Sequence, residues 1–146
     1  DVMKESARIA ISLVKSLFPR EAEKLKTHDL HIHVPAGAVP KDGPSAGVTL
    51  TTALSSLLTG RIVDPHIAMT GEVALRGAVM PIGGLPEKLI AAQRAGITKV
   101  FIPKENLYDL KDVAQEVKDA ITIVPVSTVD DILTECGILD REAMTA

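Results

Sequence analysis

The sequence predicts a single domain of mixed α+β class, because helical and strand patterns alternate along the chain. Apolar residues at helical spacing alternate with short runs rich in Val and Ile, and hairpin-like strands lie in the middle. Hydrophobic residues make up 46% of the 146 residues, whereas aromatic residues make up only 2%. We therefore expect one domain with a core of Val, Ile, Leu and Ala.

The first part of the chain predicts a helix, a charged connection and a strand. Apolar residues recur at helical spacing up to about Leu17, and Pro19 helps to end this helix. Residues 20–28 are charged and predict a loop or a short helix. Residues 30–34 alternate apolar side chains with two histidines, which is typical of a strand.

A loop rich in Pro and Gly, residues 35–43, leads into the second helix. Leucines at helical spacing predict that this helix covers residues 44–59, with Gly60 just after its end. Asp42 is a candidate for the residue that caps its start.

The middle of the chain predicts strands followed by a third helix. Residues 66–70 and 73–80 are typical of strands interrupted near Gly71. Residues 85–95 predict a helix, since Pro86 suits its first turn.

The last third predicts two strands and a final helix. Residues 99–102 and 121–124 are typical of short strands, and they flank a charged helical region at 104–118. A last helix is expected over residues 128–136, and residues 137–146 are expected to form a polar C-terminal tail.

Charge and composition exclude several classes of protein. A net charge of −3 and a supply of three aromatic residues argue against a nucleic-acid partner. The single cysteine, Cys136, excludes an internal disulfide and suits a reducing compartment. Without a signal peptide or a long uncharged apolar run, the chain is expected to be cytoplasmic and to have no membrane partner.

The helical pattern begins at the first residue, Asp1, with no cap or lead-in before it. We therefore expect residues 1–146 to be one domain of a larger protein.

Ser45 is the strongest candidate for a nucleophile. It lies in the segment P-K-D-G-P-S-A-G at residues 40–47, where an apolar helix begins. Free backbone N–H groups and the positive dipole end at a helix start favour a developing anion. A serine in such a short motif is also typical of an ordinary turn or helix cap, so the hypothesis requires a base.

Lys88 is the candidate base, in a second Gly-rich helix start, G-G-L-P-E-K at residues 83–88. Three alanines on its helix, at positions 91, 92 and 95, predict a dry wall for its side chain. Desolvation and the positive helix end would favour the neutral amine that a base requires. The two segments together suggest a serine–lysine hydrolase.

Three alternatives use the same residues differently. His31 or His33 is a rival base for Ser45 in a conventional triad, with Asp29, Asp42 or Asp64 as third member. A Gly-rich loop before a helix also binds phosphate in some kinases, but the G-x-x-x-x-G-K-[ST] pattern is not in the sequence. Metal binding is not indicated, because the histidines show no clear ligand spacing and there is one cysteine.

Four motifs in this order resemble the proteolytic domain of bacterial Lon, the ATP-dependent serine protease. They are P-K-D-G-P-S-A-G at 40–47, M-T-G-E at 69–72, L-R-G at 75–77 and P-I-G-G-L-P-E-K at 81–88. By this resemblance Ser45 is the nucleophile and Lys88 the general base of a Ser-Lys dyad. The resemblance also implies that the Thr70 hydroxyl holds the lysine and that Asp42 lies beside the site.

The resemblance further implies a fold similar to the second domain of ribosomal protein S5 and a hexameric ring of subunits. Its substrates would be unfolded protein or peptides, including misfolded and regulatory proteins in protein quality control. ATP and magnesium are implied only for the full-length parent, since this chain contains no P-loop, and no cofactor or metal is expected here. The alternative is a catalytically silent Lon-like domain retained for ring assembly.

Overall fold

Two small sheets organise the computed structural model, which describes residues 1–140. A parallel sheet has the strand order β1-β4-β5, and β2 and β3 form a separate antiparallel hairpin. The strands are β1 (Ile67–Met69), β2 (Glu72–Val73), β3 (Val79–Met80), β4 (Lys99–Pro103) and β5 (Thr122–Val126). The register pairs Ala68 with Val100 and Val100 with Ile123. The predicted mixed α+β class is confirmed.

Helices cover both faces of the parallel sheet. They are α1 (Val2–Leu17), α2 (Gly47–Thr59), α3 (Leu85–Arg94), α4 (Gln115–Ala120) and α5 (Val129–Glu135). Two 3-10 segments, Glu21–Lys26 and Lys104–Asp112, connect them. None of the helices described in residues 1–140 has the length and apolar character needed to cross a bilayer.

The core alternates across β4, the central strand. Phe101 points toward α1, α2 and α5, where Leu13, Val48 and Ile132 pack around it. Val100 and Ile102 point to the opposite face and pack against α3 and α4. This alternation follows from the two-residue period of a strand, and it gives the sheet a buried layer on each side. The predicted aliphatic core is present, with Phe101 and Phe18 added to it.

The predicted strand at residues 30–34 is wrong. That segment forms neither a helix nor a strand, and His31, His33 and Val34 are exposed. Alternation indicates a strand only when one face is buried and a neighbouring strand accepts the backbone hydrogen bonds. The segment contributes only Leu30 and Ile32 as half-buried contacts.

Two other predicted segments are divided in the structure. Residues 73–80 form the strands of a hairpin, and Gly77 makes its turn with a left-handed φ of 92°. The charged region 104–118 is a 3-10 segment followed by α4, separated by extended backbone at Val113.

The predicted polar tail begins too early. Ile138 is only 1% exposed and packs in the cluster formed by α1, α2 and α5. The Arg61 guanidinium donates to the Ile138 carbonyl at 3.0 Å and so holds this end of the chain. The tail prediction for residues 141–146 lies outside the described residues.

The start of α2 passes very close to the backbone between β1 and β2. Gly71 N–H donates to the Ser45 carbonyl at 2.9 Å, and Val48 N–H donates to the Gly71 carbonyl at 3.2 Å. A Cβ atom at Gly47 would lie 2.8 Å from a Val73 methyl and 3.0 Å from the Val73 nitrogen. At Gly71 a Cβ atom would lie 2.7 Å from a Val79 methyl. Both positions therefore require glycine for close approach.

Gly47→Ala is expected to destabilise the domain by about 1–3 kcal/mol, the usual cost of overpacking. Alanine is the better helix former by about 1 kcal/mol, so propensity alone predicts the opposite sign. Urea denaturation of both proteins measures the difference. Gly37→Ala is the control, since nothing lies within 4 Å of its added Cβ. Equal stability of Gly47→Ala and the parent would show that the contact with β2 is not tight.

Candidate active site

Ser45 lies in the turn directly before α2. Ala46 is the N-cap of the helix, so the helix begins about three residues later than predicted. The Ser45 carbonyl is bound by Gly71 N–H, and its side chain is half-buried. The hydroxyl is not used as a helix cap, because α2 has no side-chain capping bond. It points instead toward the third helix.

Lys88 reaches Ser45 from the first turn of α3. Its N–H donates to the carbonyl of Gly84, the N-cap residue, at 3.1 Å. Its Nζ lies 2.9 Å from Ser45 Oγ and 3.3 Å from Thr70 Oγ1. The amine is therefore within hydrogen-bond distance of two hydroxyls at once. The structure brings together three of the four residues predicted for the site.

Thr70 is held in place by the parallel sheet. It follows β1, and its N–H donates to the Phe101 carbonyl of β4 at 3.1 Å. Its side chain is buried, at 7% exposure. The sheet therefore presents the Thr70 hydroxyl at a defined place beside the lysine.

A cavity of about 210 Å³ surrounds these polar atoms. Apart from Ser45, Thr70 and Lys88, its walls are apolar: Ala68, Met69, Leu85, Leu89, Ala92 and Val100. The prediction of a three-alanine wall is only partly correct, since Ala91 and Ala95 line a different surface groove with Glu87. The leucines of α3 and the β1 and β4 side chains supply the apolar wall instead.

Asp42 lies elsewhere, at the start of α1. Its carboxylate accepts from Met3 N–H at 2.6 Å and from Val2 N–H at 3.3 Å. These backbone hydrogen bonds lower the pKa of Asp42 to about 2, and the bond from Met3 N–H has the largest effect. The prediction that Asp42 caps the second helix is therefore wrong, because it caps the first. Met3 and Asp42 are 39 residues apart in the sequence, so no local sequence pattern predicts this hydrogen bond.

The histidine alternative is not supported by the geometry. His31 and His33 are exposed, and their rings contact each other edge to face at 6.5 Å between centroids. Asp64 hydrogen-bonds to His66 at 3.1 Å and is not oriented toward Ser45. In residues 1–140 the side-chain partner of the Ser45 hydroxyl is Lys88 and not a histidine.

The N–H groups at the start of α2 are only partly available to a ligand. Gly47 N–H donates to the Pro44 carbonyl at 3.1 Å, and Val48 N–H donates to the Gly71 carbonyl. The N–H groups of Ser45 and Ala46, which precede Gly47 in the turn, are the other backbone candidates for binding a developing anion near Ser45. This detail depends on the tertiary contact with Gly71 and has no signal in the sequence.

The model of the Lon protease (S16) C-terminal proteolytic domain matches residues 1–138. The chain belongs to the Lon proteolytic-domain family. Its relatives include proteins named Lon protease from Clostridium beijerinckii, 64% identical over 92% of this chain, and from Methanosarcina barkeri, 54% identical over 96%. A Lon protease from Mycolicibacterium smegmatis is 54% identical over 100% of this chain.

The matched regions are only part of each Lon relative. They cover 17%, 18% and 19% of those three proteins, so this chain spans less than a fifth of their length. The match of the family model to residues 1–138 confirms the family that the sequence motifs suggested.

Asp42→Ala is expected to lower the thermal stability of the domain at neutral pH, because α1 loses the acceptor for its first N–H groups. Since the folded-state pKa is depressed, the stabilising effect is complete above the unfolded value of 3.8 and is lost as pH falls toward about 2. Melting temperatures of both proteins between pH 2 and 7 test this.

Asp112→Ala serves as the control for that pH series. Asp112 is an exposed acidic residue at the end of the 3-10 segment Lys104–Asp112, far along the chain from α1. A stability difference between parent and Asp42→Ala that persists unchanged at pH 2 would contradict the ionised cap.

Proposed function

We propose that this chain is the serine endopeptidase domain of a Lon-type ATP-dependent protease, with Ser45 as nucleophile and Lys88 as general base. The observation that supports this most is the 2.9 Å separation of Lys88 Nζ and Ser45 Oγ inside an apolar cavity. That distance permits direct proton transfer between the two atoms. Membership of the Lon proteolytic-domain family points to the same reaction class.

The proposed reaction has two halves linked by an acyl-enzyme. The neutral Lys88 amine takes the hydroxyl proton while Ser45 Oγ attacks the scissile carbonyl carbon. The tetrahedral intermediate then expels the leaving amine, which receives that proton from Lys88. In the second half Lys88 takes a proton from a water molecule whose oxygen attacks the ester carbon. The tetrahedral intermediate then breaks its bond to Ser45 Oγ, which receives that proton from Lys88, and the carboxylic acid product is released.

Thr70 and the backbone near Ser45 have supporting roles in this proposal. The Thr70 hydroxyl, 3.3 Å from Nζ, keeps the amine aimed between two oxygen atoms. The N–H groups of Ser45 and Ala46 are proposed to bind the oxyanion, and each such donor is worth about 3 kcal/mol in acyl-transfer enzymes. Asp42 supports the site indirectly, because it ties the loop before Ser45 to α1.

We further propose that this chain is one domain of a full-length parent, since the matched region is less than a fifth of each named relative. We propose that its substrates are unfolded proteins and peptides, that its subunits form a homo-oligomeric ring of six, and that it acts in the cytoplasm in protein quality control. ATP and magnesium are assigned to the rest of such a protein, since the 146 residues contain no P-loop motif. No step of the peptidase reaction above requires a nucleotide.

Ser45→Ala is expected to reduce peptide cleavage by several orders of magnitude while the domain stays folded, as happens when other serine enzymes lose the nucleophile. Cleavage of an unstructured fluorogenic peptide, measured together with circular dichroism, tests both statements. Ser127→Ala, which removes an exposed hydroxyl elsewhere, is the control. Substantial turnover by folded Ser45→Ala would rule out Ser45 as nucleophile.

Lys88→Arg is expected to be as inactive as Lys88→Ala, because a guanidinium keeps its charge and supplies no neutral amine. Replacement of both His31 and His33 should leave most of the activity, since neither ring contacts Ser45. Lys104→Arg is the matched control at an exposed site. An active Lys88→Arg protein together with an inactive but folded double-histidine variant would favour the triad.

The same assays separate the peptidase from a silent ring-assembly domain. A silent domain would associate with itself but would cleave no peptide at any concentration. Sedimentation and peptide turnover measured over one concentration series distinguish the two functions, because assembly depends on concentration by mass action.

A further inference from the structure

The backbone that leads into α3 has an unusual support. Residues 81–84 belong to no helix or strand, and they include two consecutive glycines directly before the helix that carries Lys88. Gly84 has a left-handed φ of 72°, and a Cβ on Gly83 would meet nothing within 4 Å. The segment itself therefore offers little resistance to movement of the helix start.

The side chain of Asn106 holds this segment by binding both the main-chain N–H and the main-chain carbonyl of Ile82. Asn106 Oδ1 accepts from Ile82 N–H at 3.0 Å, and Asn106 Nδ2 donates to the Ile82 carbonyl at 2.8 Å. Nδ2 also donates to the Asp109 carboxylate at 2.7 Å, which orients the amide. The Asn106 side chain thus supplies Ile82 with the main-chain hydrogen-bond acceptor and donor that a neighbouring strand would otherwise provide.

Asn106 is connected to the opposite wall of the cavity. It is 2% exposed and lies in the 3-10 segment that follows β4, the strand whose Val100 lines the cavity. Through β4 it is joined to Thr70, whose N–H donates to the Phe101 carbonyl. A buried amide with all of its hydrogen bonds made is costly to displace.

We propose that Asn106 is a positioning residue for Lys88: by holding the Ile82 main chain it sets the start of α3 relative to the sheet. Asn106 touches neither Ser45 nor Lys88, so it acts only through the backbone. This inference rests on the proposed peptidase function, in which the rate depends on the alignment of Lys88 Nζ with Ser45 Oγ. A displacement of about 1 Å in such a pair costs up to about a hundredfold in rate.

The test compares Asn106→Ala with Val129→Ala. Val129 is 0% exposed, begins α5 and packs in the cluster formed by α1, α2 and α5, so its truncation removes no contact to Ile82 or α3. Both variants and the parent are assayed with a fluorogenic peptide, at a temperature well below all three unfolding midpoints. Asn106→Ala should lose about 10–100-fold in kcat with KM nearly unchanged, whereas Val129→Ala should keep the parental kcat.

A second measurement requires neither a variant protein nor an activity assay. Hydrogen exchange followed by NMR should show the Ile82 amide proton protected in the parent by at least about tenfold, because its acceptor is a buried side chain. An Ile82 amide that exchanges at the unprotected rate would overturn the proposal, even if Asn106→Ala failed to fold.

The outcomes also distinguish this inference from the proposed function. A parent that cleaves no peptide contradicts the peptidase assignment, and Ile82 exchange then still decides whether Asn106 holds the segment. An active parent whose Asn106→Ala variant keeps its kcat contradicts only the positioning role. An equal loss in Val129→Ala would also contradict it, because a general loss of stability would then explain both.

Discussion

The close crossing of α2 over the backbone at Gly71 determines where Ser45 lies. Two main-chain hydrogen bonds join the helix start to this residue, one accepted by Ser45 and one donated by Val48. They are possible only because Gly47 and Gly71 have no side chains to keep the two backbones apart. Gly71 also follows Thr70 directly, so the same contact places the serine beside the threonine hydroxyl. The proposed nucleophile is therefore attached to the sheet rather than to a flexible loop.

Lys88 reaches the site through a separate set of contacts. Leu85 and Leu89 are 1% and 0% exposed, and both pack on the face of the sheet opposite to α1 and α2. Ser45 and Lys88 thus belong to elements on different layers, and they meet only where the edge strand β1 ends. A long, flexible lysine side chain can bridge such layers, but its aim then depends on the start of α3. The hydrogen bonds of Asn106 to the Ile82 main chain, directly before α3, therefore affect the aim of the lysine.

The sequence predicts the helices better than the strands, because a helix is specified by local patterns and a strand depends on a pairing partner elsewhere in the chain. Helices α1, α2 and α3 have apolar faces at helical spacing and end signals of their own, so local patterns were sufficient. Residues 30–34 show the alternation of a strand, but pairing depends on a neighbour that no local pattern reveals. The meeting of Ser45 with Lys88 was suggested by two glycine-rich helix starts and by the resemblance to Lon. The bonds of Asp42 to α1 and of Asn106 to Ile82 join distant segments, and residue type alone does not indicate them.

The two sides of Ser45 differ in how firmly they are held. On its C-terminal side the serine enters α2 and is bound to Gly71 through buried backbone. On its N-terminal side the residues from 28 to 44 form no helix or strand, and most of their side chains are exposed. The tether from this loop to α1 is the exposed carboxylate of Asp42. Segments with exposed hydrogen bonds and few buried contacts open most readily. A change at the start of α1 should therefore move residues 40–44, which directly precede Ser45 in the chain, far more than the Ser45–Lys88 pair itself.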